Sequence, residues 1–235
     1  MQSLVDEALF RPVRSGNAFE DTVARLLQTV RLGIVAPGEA LPPERDLAAR
    51  FSVSRDTVRE AIRELADAGY LVSKRGRYGG TFVTDVLPVV EGSEQRPDAS
   101  EIEDVLGLRE ILELGAARAA AARTLSAAER DLLWTRLRET AAASVADYRR
   151  LDSRLHLAIG EVVGTPSLVS LLADNRTRVN EMLDCIPLLT PNIAHSNQQH
   201  EAIVIAVLTG DPERAAAAMR EHLDGSAALL RAFLL

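Results

Sequence analysis

Hydrophobic positions recur at helical spacing along most of this chain, and the pattern breaks twice. Asn17 followed by Glu20 predicts a capping box that opens a helix to about Leu32, with Gly33 to end it. "APGEALP" is a turn, and "PERDLAARF" predicts a short second helix with Pro43 at or near its start. After "SVS", Ser54 is placed to cap a third helix, Arg55–Ala68, closed by Gly69. The first break follows: "YLVSK", a Gly-rich "RGRYGG" and "TFVTDV" predict a two-stranded hairpin. The second is "VLPVVEGSEQRPDAS", residues 86–100, polar and aperiodic with two prolines, which predicts a linker.

Everything beyond it is helical in period. Ser100 with Glu103, and Ser126 with Glu129, predict capping boxes that open helices of about 22 and 18 residues. A third spans about 147–163, "GTPSLVSLL" starts a fourth and "TPN" a fifth to about Thr209. Asp211 and Pro212 open a sixth that runs almost to the end. The expected fold is mainly α: a winged helix-turn-helix domain over 1–85, a linker over 86–100 and an all-α six-helix bundle over 101–235.

Composition narrows the setting. At 47% hydrophobic, 235 residues suffice to bury a sizeable core, and no apolar run is long enough to span a membrane. The start, "MQSLVDEALFRP", has neither the basic region nor the apolar stretch of a secretion signal, which predicts a cytoplasmic protein. The single cysteine, Cys185, excludes an internal disulfide and reads as a small buried hydrophobe. Net charge is −7, but residues 1–85 hold 12 basic and 12 acidic side chains, against 15 and 22 in residues 86–235. The first domain thus escapes the acidic balance, and residues 45–77 hold eight basic and five acidic side chains.

That local excess falls on the helix-turn-helix. Its second helix, placed in a major groove, would present Ser54, Arg55, Thr57 and Arg59 to DNA. Guanidinium forks suit guanine, and the hydroxyls suit phosphates or bases. Arg45 starts the preceding helix, and Lys74, Arg75 and Arg77 crowd the hairpin tip. An ordinary surface helix laced with ion pairs has the same periodicity, so the pattern alone leaves both readings open. The order of parts separates them: "APGEALPPERDLAARFSVSRDTVREAIRELADAGYLVSKRGRYGGTFV", residues 36–83, resembles the DNA-binding domain of the GntR family of bacterial transcription regulators. The resemblance implies DNA contacts by Arg45, Arg55 and Arg59, supported by Ser54, Thr57, Lys74 and Arg75, with Gly76 letting the wing approach closely. The family usually has a serine where Pro43 stands, so that helix cap is in question.

In the second domain, polar groups sit on apolar stripes. Asp152 and His156 share a face with Tyr148, Leu155, Ile159, Val162 and Val163. His200 falls with Ile193, Val204 and Val207; His222 falls with Ala215, Met219, Ser226 and Phe233. His195 lies well round its helix from His200 and reads as peripheral. Three inward histidines are either separately bonded core residues or, with Asp152, the ligands of one divalent transition metal. Zinc suits the donor set first, with nickel, manganese or iron as the other candidates. Arg109 shares a stripe with Ile102, Val105, Leu106, Leu112 and Ala116, and reads as a salt bridge to Glu113 or a bidentate clamp for a carboxylate.

The pieces "LREILELGAARAAA", "LDSRLHLAIGEVVG", "HEAIVIAVLTGD" and "AAAAMREHL" resemble the FCD ligand-binding domain of the FadR subfamily, in its shorter, VanR-like form. In metal-binding members one Asp and three His hold the ion, at positions matching Asp152, His156, His200 and His222, and an arginine at the place of Arg109 commonly binds a carboxylate. The family often has Gly-Asn after the third helix, where this chain has "GTPS". The expectation is a metal-dependent regulator, homodimeric on a palindromic operator, that answers to a small carboxylate effector. It is not expected to be an enzyme, because "HEAIV" lacks the second histidine of a zinc hydrolase helix. The alternative is a purely structural or metal-sensing site with no organic effector.

Overall fold

The computed structural model describes residues 4–10, 18–74, 76, 79–88, 97–186 and 190–235. Arg75, Arg77 and the Asn17–Glu20 capping box lie outside what is described. The chain divides into two compact units, Met1–Val90 and Glu91–Leu235.

In the first unit, α1 (Leu4–Leu9) precedes α2 (Ala18–Arg31), α3 (Glu44–Phe51) and α4 (Arg55–Asp67), then β1 (Leu71–Lys74) and β2 (Gly80–Val83). The sequence pattern did not predict α1, whose six residues are too few to show a period. Leu26, Val30, Leu47, Phe51, Val58, Ala61, Leu65 and Val83 close one core. Pro43 gives α3 no side-chain cap, but its carbonyl accepts from Asp46 and Leu47 at 2.8 and 3.0 Å. The turn into α4 passes through Ser52 in the left-handed region (φ 56°), and Ser54 Oγ then accepts from Thr57 N at 3.0 Å. The strands pair antiparallel, Leu71 opposite Val83 and Lys74 opposite Gly80.

In the second unit, α5 (Ala99–Ala121) is the central helix and packs on α7 (Tyr148–Glu161), α8 (Pro166–Asp184), α9 (Thr190–Thr209) and α10 (Pro212–Leu234). α6 (Ala127–Ala141) packs on α7 and α9. The Ser126–Glu129 capping box forms in both directions. The Ser100–Glu103 box does not: Asp98 caps α5 instead, its carboxylate accepting from Glu101 N at 2.8 Å. A carboxylate two residues earlier is the stronger acceptor at a helix N-terminus, and Glu103 is taken by Arg231 through two contacts of 2.7 Å. Cys185 is exposed rather than buried, because it caps α8 while Met182 and Ile186 take the inward positions. Phe233 is also exposed, because the packed face of α10 has moved round to Ala227, Leu230 and Leu234 at that end.

Candidate metal centre and nucleic-acid interface

Asp152 and His156 are brought to one spot by a single turn of α7; His200 comes from α9 and His222 from α10. All four are buried, and one donor atom from each lies within 4.8 Å of every other. Oδ1 of Asp152 is 3.2 Å from Nε2 of His200 and 3.7 Å from Nε2 of His156; the Nε2 atoms of His200 and His222 are 3.3 Å apart. Three imidazole nitrogens and one carboxylate oxygen therefore converge.

The opposite edges of two rings are fixed by other side chains. Nδ1 of His156 bonds Glu113 of α5, and Nδ1 of His222 bonds Oε1 of Gln199 at 3.2 Å. A proton on each Nδ1 leaves the Nε2 lone pairs aimed into the cluster, the tautomer that metal-binding histidines use. Gln199 in turn reaches Nε2 of His195 at 3.1 Å, so the peripheral histidine ends a chain that starts at His222.

Fit to a cation is decided by what the cluster leaves bare. Nε2 of His156 is buried with no hydrogen-bond partner among the described residues, although its other nitrogen is bonded. A buried acceptor without a donor costs free energy, and a divalent ion among these N₃O donors removes that cost. The residues present suit a metal. Burial pushes the His156 and His222 imidazoles below their usual range, and the neighbouring imidazoles and Arg109 act on His222 in the same direction, so both are neutral at pH 7.

Two buried arginines complete the surroundings. Nη2 of Arg176, from α8, bonds Oδ2 of Asp152, and Nη1 lies 3.5 Å from Oε1 of Glu113. Arg109 bonds Glu113 at 3.1 Å through Nε and Oγ of Ser226 at 2.7 Å through Nη1. The Arg109–Glu113 salt bridge is thus present, and Glu113 passes it on to His156. Burial alone would raise the Asp152 carboxyl, but Arg176 and the two nearby histidines outweigh it and hold the group well below the usual range. Glu113 is held down likewise, burial being outweighed by His156 and both arginines. Sequence reasoning missed Arg176, Gln199 and the bond from Glu113 to His156, having paired Glu113 with Arg109 alone. Arg176 carried the signal that exposed Arg109: it lies on the apolar stripe of Val169, Leu172, Ala173 and Val179.

Beside the cluster lies a cavity of ≈ 70 Å³ whose lining includes Arg109, Asp152 and His222, together with Tyr148, Arg149 and Ser226.

In the first unit, the expected DNA contacts divide into tethered and untethered groups. Arg59 is held by Asp56 at 3.0 Å and by Glu44 at 3.2 Å, and Arg45 is paired with Asp46 at 3.2 Å. Arg55 is exposed and has no ion pair among the described residues. Thr57 and Ser54 are bonded to each other at 2.8 Å, and Lys74 lies 4.6 Å above the Phe82 ring. Gly76 takes φ 109°, a backbone state that L side chains rarely adopt.

Comparison with known proteins matches both units. Residues 19–83 match the model "Bacterial regulatory proteins, gntR family", and residues 104–225 match the FCD domain. The chain is 30% identical over 211 residues to the Uxu operon transcriptional regulator of Escherichia coli (strain K12), covering 80% of this chain and 77% of that one. It is 27% identical to the HTH-type transcriptional repressor NanR of Salmonella arizonae, over 95% and 88% of the two chains. Among solved structures, E. coli McbR/YncC superposes with a TM-score of 0.58 at 18% identity, covering 92% of this chain and 98% of that one, which shows the shared fold.

Proposed function

As this chain belongs to the gntR family of bacterial regulatory proteins and carries an FCD domain, we propose that it is a metal-dependent transcription regulator whose hold on operator DNA is set by a small organic acid. Members of these families and the relatives above are transcription regulators, not enzymes. The observation that carries the proposal is the placing of Arg109 in one cavity with Asp152 and His222, two of the four converging donors. Asp152, His156, His200 and His222 would hold a divalent ion, zinc, nickel, manganese or iron, which would supply Lewis-acid attraction for an acid's oxygens. Arg109 binds the carboxylate through the part of its fork that Glu113 and Ser226 leave over.

The coupling runs through α5. Arg109 and Glu113 lie on this helix, Glu113 holds His156, and the helix contacts α7, α8, α9 and α10. An acid that draws Arg109 toward the ligands therefore stiffens the bundle around its central helix. Two copies reading a palindromic operator in the cytoplasm translate this into altered affinity, provided the acid prefers one arrangement. A purely structural ion explains the four donors but gives no role to the adjoining arginine-lined cavity, which favours an acid effector.

The test is a fluorescence-anisotropy titration of metal-loaded protein on its operator against hydroxy-, keto- and sugar acids. The wild type is expected to change operator affinity several-fold to a hundred-fold, roughly 1–3 kcal/mol of coupling. Arg109→Lys, which keeps a cation beside Glu113 but loses the fork, is expected to lose the response and keep both metal and operator. A response intact in R109K removes the clamp; indifference of the wild type to every acid leaves the structural or metal-sensing reading.

A further inference from the structure

The cavity contains a cation that the reading above leaves without a task. Arg149 lies three residues before Asp152 on α7 and lines the same space, with Tyr148, Asn192 and Ser196 beside it. Its Nε pairs with Asp184 at 3.1 Å and its Nη2 donates to the Ile186 carbonyl at 3.1 Å, which occupies part of a five-donor fork.

Charge around the cluster is balanced before any ion enters. Arg109 pairs with Glu113, Arg176 with Asp152 and Arg149 with Asp184. Imidazoles bind metals in their neutral form, so a divalent ion adds two positive charges that no remaining group here offsets. One carboxylate cancels one of them. Among donors this deeply buried, an uncompensated charge is costly, so a ligand with two negative charges is favoured.

Resting on the reading of an acid effector at the metal, we infer that the acid carries two anionic groups, the first at Arg109 and the ion and the second at Arg149. The hydroxyls of Tyr148 and Ser196 and the amide of Asn192 suit a hydroxyl-bearing carbon chain, and the small cavity limits its length. The class is a short hydroxy-dicarboxylic acid. Burial raises the Tyr148 phenol above its usual range, so it serves as a neutral hydrogen-bonding group.

The experiment is calorimetric titration of dialysed, zinc-loaded full-length protein with two matched pairs, malate against lactate and tartrate against glycerate, with zinc content checked afterwards. Each pair shares a 2-hydroxy-carboxylate head and differs in the second carboxylate. The diacid of each pair is expected to bind about tenfold tighter or more, the scale of one charge-assisted contact. Arg149→Met is expected to bring the members of a pair within about threefold, and Arg149→Lys to restore part of the gap. Equal affinities within both pairs in the wild type overturn the inference and leave the acid effector standing. A full preference surviving in R149M overturns the assignment to Arg149. Binding of no member of either pair overturns the inference and leaves the acid effector to the wider panel of keto and sugar acids, and the wild-type comparison decides even where R149M fails to fold.

Discussion

Arg176 and Asp152 meet through one carboxylate oxygen only: Nη2 bonds Oδ2, while Oδ1 is left 3.2 Å from His200 Nε2. The guanidinium thereby limits Asp152 to a single donor oxygen toward the cluster. Arg176→Met strands a buried carboxylate and is expected to cost about 3–5 kcal/mol in metal-free protein, the usual scale for breaking a buried pair. Urea unfolding with and without zinc measures this. The loss should shrink with zinc, which takes over the neutralising role; equal losses in both conditions mean that Arg176 only packs.

His200→Ala and His222→Ala remove donors that come from different helices. Each is expected to lower bound divalent metal and to abolish the rise in melting temperature that metal gives the wild type. Elemental analysis of the dialysed variants, with paired thermal melts, decides the matter. Metal undiminished in both reduces the three histidines to hydrogen-bonded core residues.

Acid should weaken the metal-free bundle in two steps. Unfolding frees His156 and His222 to take protons near their ordinary pKa of about 6.5, whereas the folded state holds both neutral. The unfolded chain then binds more protons, so stability falls as pH drops below about 6.5. Asp152 and Glu113, held down in the folded state, contribute stability above about pH 4 that is lost as pH falls further toward their folded values. Chemical unfolding at a series of pH values measures the slope. Stability that is flat between pH 7 and 5 contradicts the burial of neutral imidazoles.

On DNA, Arg55 and Lys74 should fail differently. Arg55, exposed near the start of α4, is expected to read bases, and Arg55→Ala should cost roughly 1–3 kcal/mol per half-site on the operator and little on random duplex. Lys74, on the strand that leads to the hairpin tip, should contact phosphate, so Lys74→Ala weakens both duplexes equally. Anisotropy on the two duplexes separates them. An Arg55→Ala protein that holds its operator like wild type moves base reading elsewhere.

Much of this architecture was legible in the chain because its signals are local. The Ser54 cap, the Ser126–Glu129 box and Pro212 at the start of α10 each act within four residues. The inward His156, His200 and His222 were visible as breaks in apolar stripes. The contacts that finish the site join groups far apart in sequence: Glu113 with His156, and Arg176 with Asp152. Periodicity says that such a side chain faces inward, never which partner it meets. Asp98 displaced Ser100 as a cap because, of two residue types that both suit the position, the carboxylate is favoured at a helix N-terminus, and Arg231 takes the Glu103 that a Ser100 box needs.

The hold of Asp56 and Glu44 on Arg59 changes how DNA binding should be counted. A free arginine that meets a phosphate expels condensed counterions and gains their mixing entropy. If Arg59 contacts DNA as proposed, it must first leave two carboxylates, which then recruit cations from solution. The exchange replaces one set of anions with another and releases fewer ions net. The salt dependence of binding is therefore expected to understate the number of arginines at the phosphate backbone, and an ion count taken from it to return a smaller footprint than the protein occupies.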